Sequence, residues 1–186
     1  MEMSSSERVP AAQDQTWRAL NDPETLKKCI PGCESFDKVS ENEYAVTLTA
    51  KVGPVSAKFK GKMRLDEVNP PQSYSLVFEG QGGAAGFAKG NAKVSLAPDS
   101  GGTMISYTVN AQVGGKLAQI GSRLVDGAAK KMANDFFGAL VTKLGGTPVA
   151  AKLVTETSRS AGSSKVWMWI GVGIAVLVIL YFLGNL

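Results

Sequence analysis

The sequence has no histidine and only two cysteines among 186 residues. Without histidine there is no Ser-His or Cys-His pair to activate a nucleophile, and no imidazole to ligate a metal. The cysteines, Cys29 and Cys33, stand in CIPGC. That C-x-x-x-C spacing, with no second pair, completes neither a zinc nor an iron–sulfur site and makes no disulfide framework. Both are expected to be structural thiols. Charge is sparse as well: Asp, Glu, Lys and Arg make up 19% of the chain, and the net charge is +4. No run of Lys or Arg exceeds two residues, which argues against nucleic acid as a partner. A solvated basic face, of use near anionic lipid, is the simpler reading. The opening MEMSSSERVP lacks the apolar stretch of a signal peptide, so the domain is expected in the cytoplasm.

Paired carboxylates are also missing where acid–base chemistry would need them. Asp66 and Glu67 are neighbours, and neighbours on a strand point to opposite faces. Asp22 and Glu24 suit a helix start, with Asp22 as N-cap and Pro23 in the first helical position. The stretch GQGGAAG (80–86) has the glycines of a phosphate loop but no Lys-Ser/Thr after them. It is expected to be a flexible rim between strands. No residue is assigned a catalytic or metal-binding role.

What the sequence does have is alternation. In VSAKFKGKMRLD, Val55, Ala57, Phe59, Gly61, Met63 and Leu65 face one way, and Ser, Lys, Arg and Asp face the other. A period of two over twelve residues predicts a strand half-buried in an antiparallel sheet. EYAVTLTAKV (43–52), QSYSLVFEG (72–80) and TMISYTVNAQV (103–113) repeat the pattern, and GFAKGNAKVSLAP (86–98) does so more weakly. Two short helices are expected earlier, in VPAAQDQTWRALND and DPETLKKCI, after a first strand. After the sheet, Leu117, Ile120, Gly121, Leu124, Ala128, Met132, Phe136 and Leu140 recur at three and four. They predict one helix of ~28 residues, about 42 Å long. Gly121 and Gly127 inside it thin its surface, either for close packing or to leave room for something bound. The fold class is therefore α+β: a curved antiparallel sheet gripping a long C-terminal helix, an arrangement that often encloses an apolar pocket.

From Val166 to Leu183 no residue is charged. Those 18 residues make a helix of about 27 Å, close to the thickness of a bilayer's hydrocarbon core. Trp167 and Trp169 sit at one end of the run and Tyr181 and Phe182 at the other, as interfacial aromatics do. A single-pass transmembrane anchor is expected at 166–183, with the domain on the cytoplasmic side of the membrane. Residues 145–165, rich in Gly, Ser, Thr and Ala, are expected to be a flexible linker spanning ~25 Å. The domain proper is then 1–144.

The segments ALNDPETLKKCIPGCESF, VGPVSAKFKGKMRL, EGQGGAAGFAKGNAKVSL and GGTMISYTVNAQVGGKLAQIGSRLV, with Phe136-Phe137, resemble the CoxG family, named for carbon monoxide dehydrogenase. That family belongs to the START-like, polyketide-cyclase-related (SRPBCC) helix-grip superfamily. The resemblance covers about residues 1–144. It implies a non-catalytic accessory protein of an aerobic molybdenum-containing CO dehydrogenase, or of a related hydroxylase, holding the enzyme at the cytoplasmic membrane where its electrons enter the respiratory chain. Such a role suits an isoprenoid quinone of the menaquinone or ubiquinone type as bound ligand, since a quinone is nearly insoluble in water. The expected pocket walls are Leu48, Phe59, Met63, Leu76, Phe78, Phe87, Tyr107 and Val109. Leu117, Ile120, Gly121 and Leu124 are the expected lid, and Arg123 is the candidate contact for a polar head. The alternatives are a START-like lipid-binding protein, a cyclase- or hydrolase-like enzyme acting on a hydrophobic small molecule, and a tether with no ligand.

Overall fold

The alternating segments form a single seven-stranded antiparallel sheet, in the order β1-β7-β6-β5-β4-β3-β2. The strands are β1 (Glu2–Val9), β2 (Cys33–Lys38), β3 (Glu43–Val52), β4 (Val55–Asn69), β5 (Ser73–Gln81), β6 (Phe87–Asp99) and β7 (Gly102–Gly114). Between β1 and β2 lie helices α1 (Gln13–Leu20) and α2 (Pro23–Cys29), and after β7 come α3 (Lys116–Gln119) and α4 (Ser122–Lys143). This is a computed structural model, and it describes residues 1–146, all within one compact unit. The linker beyond Gly146 and the expected span at 166–183 lie outside the described residues. Among the described residues no helix is long and apolar enough to cross a membrane.

From β3 to β7 each strand pairs with the next in sequence, so each hairpin fixes the register of its neighbour. Apolar side chains of consecutive strands therefore fall in rows: Leu48 opposite Phe59, Met63 opposite Phe78, Val94 opposite Tyr107. They form the inner face, which α1, α2 and α4 cover. The outer face carries Lys58, Lys60, Lys62 and Arg64 of β4, all exposed. β1 closes the other edge against β7, Val9 opposite Thr103, and at that end Arg8 pairs with Asp99 at 2.6 Å.

Helix α2 begins as its sequence predicts. Asp22 accepts hydrogen bonds from the Thr25 backbone N–H (3.1 Å) and hydroxyl (2.5 Å), and Pro23 occupies the first turn. The buried core is built at one end. Val9, Ala19, Leu20, Cys29, Leu96, Ile105, Leu140 and Val141 form one cluster, and Leu26, Phe36, Tyr44, Leu65 and Tyr74 another. Trp17, Val94 and Phe136 touch both, which makes the two one continuous core.

Two expectations are corrected, and one strand is new. The single long helix is two: α3 is one turn, and Gly121, at φ +90°, breaks the chain before the 22 residues of α4. A residue in that region of φ cannot continue a right-handed helix. Strand β2 is not foreseen by pattern; its six residues bury only Phe36, too little alternation to read. Finally, Asp66 and Glu67 do not point to opposite faces. Glu67 adopts φ +49°, and the ladder with β5 slips between Asp66 and Asn69. This bulge turns both toward Ser75, whose hydroxyl donates to Glu67 Oε2 at 2.6 Å. The Asp66 carboxylate is already paired with Arg64.

Candidate ligand-binding site

The inner face is fully buried at one end and only half-buried at the other. Where the last turns of α4 cross the sheet, Ile105 and Leu140 are 0% exposed and Phe137 stacks on Tyr107. Further along the same face Leu48, Phe59, Phe78 and Val109 are only half-buried and belong to neither core cluster, whereas Met63 and Leu76, also half-buried, pack against the second cluster and are not part of a free wall. All six stand on one face of β3, β4, β5 and β7, and β6, between the last two, adds only the small residues Gly90 and Ala92 there. Small residues widen it. The Phe59 ring lies across Gly82, where a Cβ would come within 2.4 Å of it, and the Phe78 ring lies across Gly90. Opposite this wall, α4 presents Ala128, Ala129, Met132 and Ala133. Three of these four are alanines, shorter than the Phe136 and Leu140 that fill the other end.

The expected lid is rearranged by the break at Gly121. Leu117 is buried and Ile120 half-buried, as a lid requires. Leu124 is 48% exposed, because α4 restarts in a new phase and its buried side begins at Val125. Leu124 reaches instead over the β3–β4 turn, its Cδ1 3.3 Å from where a Cβ on Gly53 would lie. Arg123 is exposed in the first turn of α4. Phe87 is not brought to the wall. It lies on the outer face, 36% exposed, its ring against Gly114 and 5.9 Å from the Lys89 ammonium.

Reading the sequence missed the polar groups of the inner face. Asp126 lies on the same stripe of α4 as Ala129, Ala133, Phe137 and Leu140, at the helical spacing of three and four. Its Oδ1 is shut off from solvent and has no hydrogen-bond partner among the described residues. Glu7 of β1, opposite Ile105, also faces inward, and burial pushes its carboxyl above the usual range. Tyr44, Tyr74 and Tyr107 stand on the inner face, and burial raises all three phenols, Tyr74 the most. A signal for Asp126 was present: counted back from Leu140 instead of forward from Leu117, position 126 falls on the buried side.

Burial raises both thiols, so neither Cys29 nor Cys33 is set up as a thiolate nucleophile, and Cys33 spends its hydrogen on Ser35 O. Among the described residues no three His, Cys, Asp or Glu side chains stand close enough to hold a metal ion. A separate trough of about 860 Å³ crosses the outer face, over Lys62, Arg64, Val77, Glu79 and Lys89. It is shallow and open to solvent, whereas small-molecule sites are concave.

A conserved protein of solved structure from Geobacillus kaustophilus is 32% identical, with a TM-score of 0.73 over 77% of this chain and 95% of its own. A Thermus thermophilus protein (16% identity, TM-score 0.59, 77% of this chain and 97% of its own) and one from Mycobacterium smegmatis (17%, 0.58, 77% and 90%) share the fold. These neighbours are START-like, in keeping with a helix-grip fold. No curated protein matches the chain. Residues 5–145 match the family of the carbon monoxide dehydrogenase CoxG subunit, and the chain therefore belongs to the CoxG family.

Proposed function

We propose that this protein is a non-enzymatic accessory protein of an aerobic molybdenum CO dehydrogenase, anchored in the cytoplasmic membrane by residues 166–183. It recruits the enzyme there and holds an isoprenoid quinone between the inner face of the sheet and the first half of α4. Family membership supports the link to CO dehydrogenase. One observation carries the ligand: Leu48, Phe59, Phe78 and Val109 stay half-buried outside both core clusters while the same face is sealed at Ile105 and Leu140. An apolar face left partly uncovered inside a fold gains free energy when an apolar molecule covers it, at about 25 cal/mol per Å². A quinone brings an apolar ring and tail, and its transfer through water is the step a carrier removes.

Native mass spectrometry of the full-length protein, extracted from its own membranes, tests the ligand. The expected spectrum contains the protein with one quinone bound. A bare chain, together with no rise in Tm on adding any quinone, leaves a tether without ligand. Recruitment is tested in cells. Deleting the protein should leave CO oxidation with an artificial dye intact while respiration on CO falls; equal loss of both points to enzyme maturation.

A further inference from the structure

One end of the domain is free of acidic residues in a way the rest is not. There is no Asp or Glu from Tyr44 to Leu65, from Gly80 to Pro98, or from Ser100 to Val125. The fold brings the tips of these three stretches together. Leu124 sits over the β3–β4 turn at Gly53, the Phe59 ring reaches the β5–β6 connection at Gly82, and the backbones at Gly86 and Gly115 meet. The end so formed carries Lys51, Lys116 and Arg123, all exposed, and none of them is in an ion pair among the described residues. Apolar groups stand among them: Leu124 at 48% exposure, Pro54 exposed, and Ile120 half-buried. Three acids stand further back. Glu34 is paired with Lys58, Glu79 is in register between Lys62 and Lys89, and Asp126 is turned inward.

Helix α4 adds to the positive potential. Its N-terminus points to this end, with no acidic residue in the first turn and no side-chain cap. Exposed N–H groups and the positive pole of the helix therefore add to the cations. Apolar side chains ringed by cations, with no acid between them, match one kind of partner: a surface that is negatively charged outside and apolar beneath.

We propose that this end docks on an anionic lipid bilayer, with Leu124 and Pro54 entering the headgroup layer and Lys51, Lys116 and Arg123 lying against lipid phosphates. The half-buried end of the inner face then lies toward the membrane. The proposal needs neither the C-terminal span nor a bound quinone, since it rests on the surface alone.

Lysine footprinting of the unmodified full-length protein tests it. The protein is reconstituted with vesicles of phosphatidylcholine alone or of phosphatidylcholine mixed with phosphatidylglycerol, and acetylation is read residue by residue. Lys51 and Lys116 should react several-fold more slowly on the anionic vesicles and recover in high salt, while Lys28 and Lys38, in α2 and β2, stay unchanged. Each cation near such a surface contributes about 1 kcal/mol, roughly fivefold in docking. Lys116→Gln/Arg123→Gln, which weakens docking by about 25-fold, should therefore abolish the protection of Lys51. Equal reactivity on both vesicle types overturns the proposal. Protection that comes only when the partner enzyme is added overturns it too, and makes this end a protein-docking surface.

Discussion

Phe137 stacks on Tyr107, ring centroids 5.1 Å apart and planes 22° from parallel. The pair ties α4 to β7 at the boundary between the fully buried and the half-buried parts of the inner face. On one side, Leu140 has no contact with solvent. On the other, Val109 is only half-buried. Truncations on the two sides should therefore behave differently. Leu140→Ala should cost about 2–5 kcal/mol, as cavity-forming changes in a packed core do. Leu48→Ala and Val109→Ala should cost clearly less in the ligand-free protein, because there is less packing to lose. They should instead shrink the stabilisation by added quinone, which for the unmutated protein is about 2.7 kcal/mol at a hundredfold excess over Kd. Chemical denaturation with and without quinone separates the cases. Equal losses on both sides would mean that the inner face is packed throughout.

Gly121 is a poor probe of the same question. Nothing lies within 4 Å of a Cβ built there, so space is available, but its φ of +90° strains any L side chain. A loss of stability in Gly121→Leu would report the backbone and not the pocket.

The inner carboxylate of α4 gives a second test. Asp126 Oδ1 is buried without a donor among the described residues, and a buried acceptor left unpaired costs roughly 1–3 kcal/mol. Asp126→Ala should raise the Tm of the ligand-free protein. The stabilisation by added quinone should fall if this carboxylate meets the ligand's polar end. An unchanged or lower Tm would place an ordered water on Oδ1.

How much of this is legible in the residues can be seen strand by strand. The face of β3, β4, β5 and β7 is readable because ten or so residues of strict alternation leave no second choice of phase. Asp22 and Pro23 announce α2 for a similar reason: each meets a backbone need that few residues meet. The lid is not readable. Leu117, Ile120, Leu124 and Ala128 keep helical spacing straight through Gly121, and only the φ that Gly121 adopts reveals that the phase restarts. Phe87 and Glu67 mislead in related ways. Phe87 stands out by its size, although it alternates with Ala88 and so faces outward. Glu67 follows simple alternation only until a bulge that pattern cannot detect.

Glu7 predicts how stability depends on pH. Burial raises its carboxyl above the ordinary 4.5, against the smaller pull of the Ser5 hydroxyl. The folded chain therefore holds this proton to higher pH than the unfolded chain does. The group's contribution is fully present below 4.5 and is lost as pH rises through the raised folded value. Glu7→Gln keeps the shape and removes the titration. Thermal melts should show the variant gaining on the unmutated protein as pH rises toward neutrality, and no such gain below the ordinary value. A gain of equal size at every pH would assign the effect to packing.

Arg123 predicts a conflict between stability and docking. A cation in the first turn of a helix opposes the helix dipole, and an acid there typically gains 0.3–1 kcal/mol. Arg123 occupies that turn of α4, exposed and without an ion pair among the described residues. A sequence shaped only for stability would place Asp or Glu there. Arg123→Glu should accordingly raise stability in denaturant by about 0.5–1 kcal/mol at low salt, with the gain fading as salt screens it. The same change should weaken protection of Lys51 by anionic vesicles more than Arg123→Gln does, because it puts a negative charge against lipid phosphate. A stabilised variant that docks as well as the unmutated protein would separate Arg123 from the membrane. A destabilised one would mean that its guanidinium supports the opening of α4 through contacts with its neighbours.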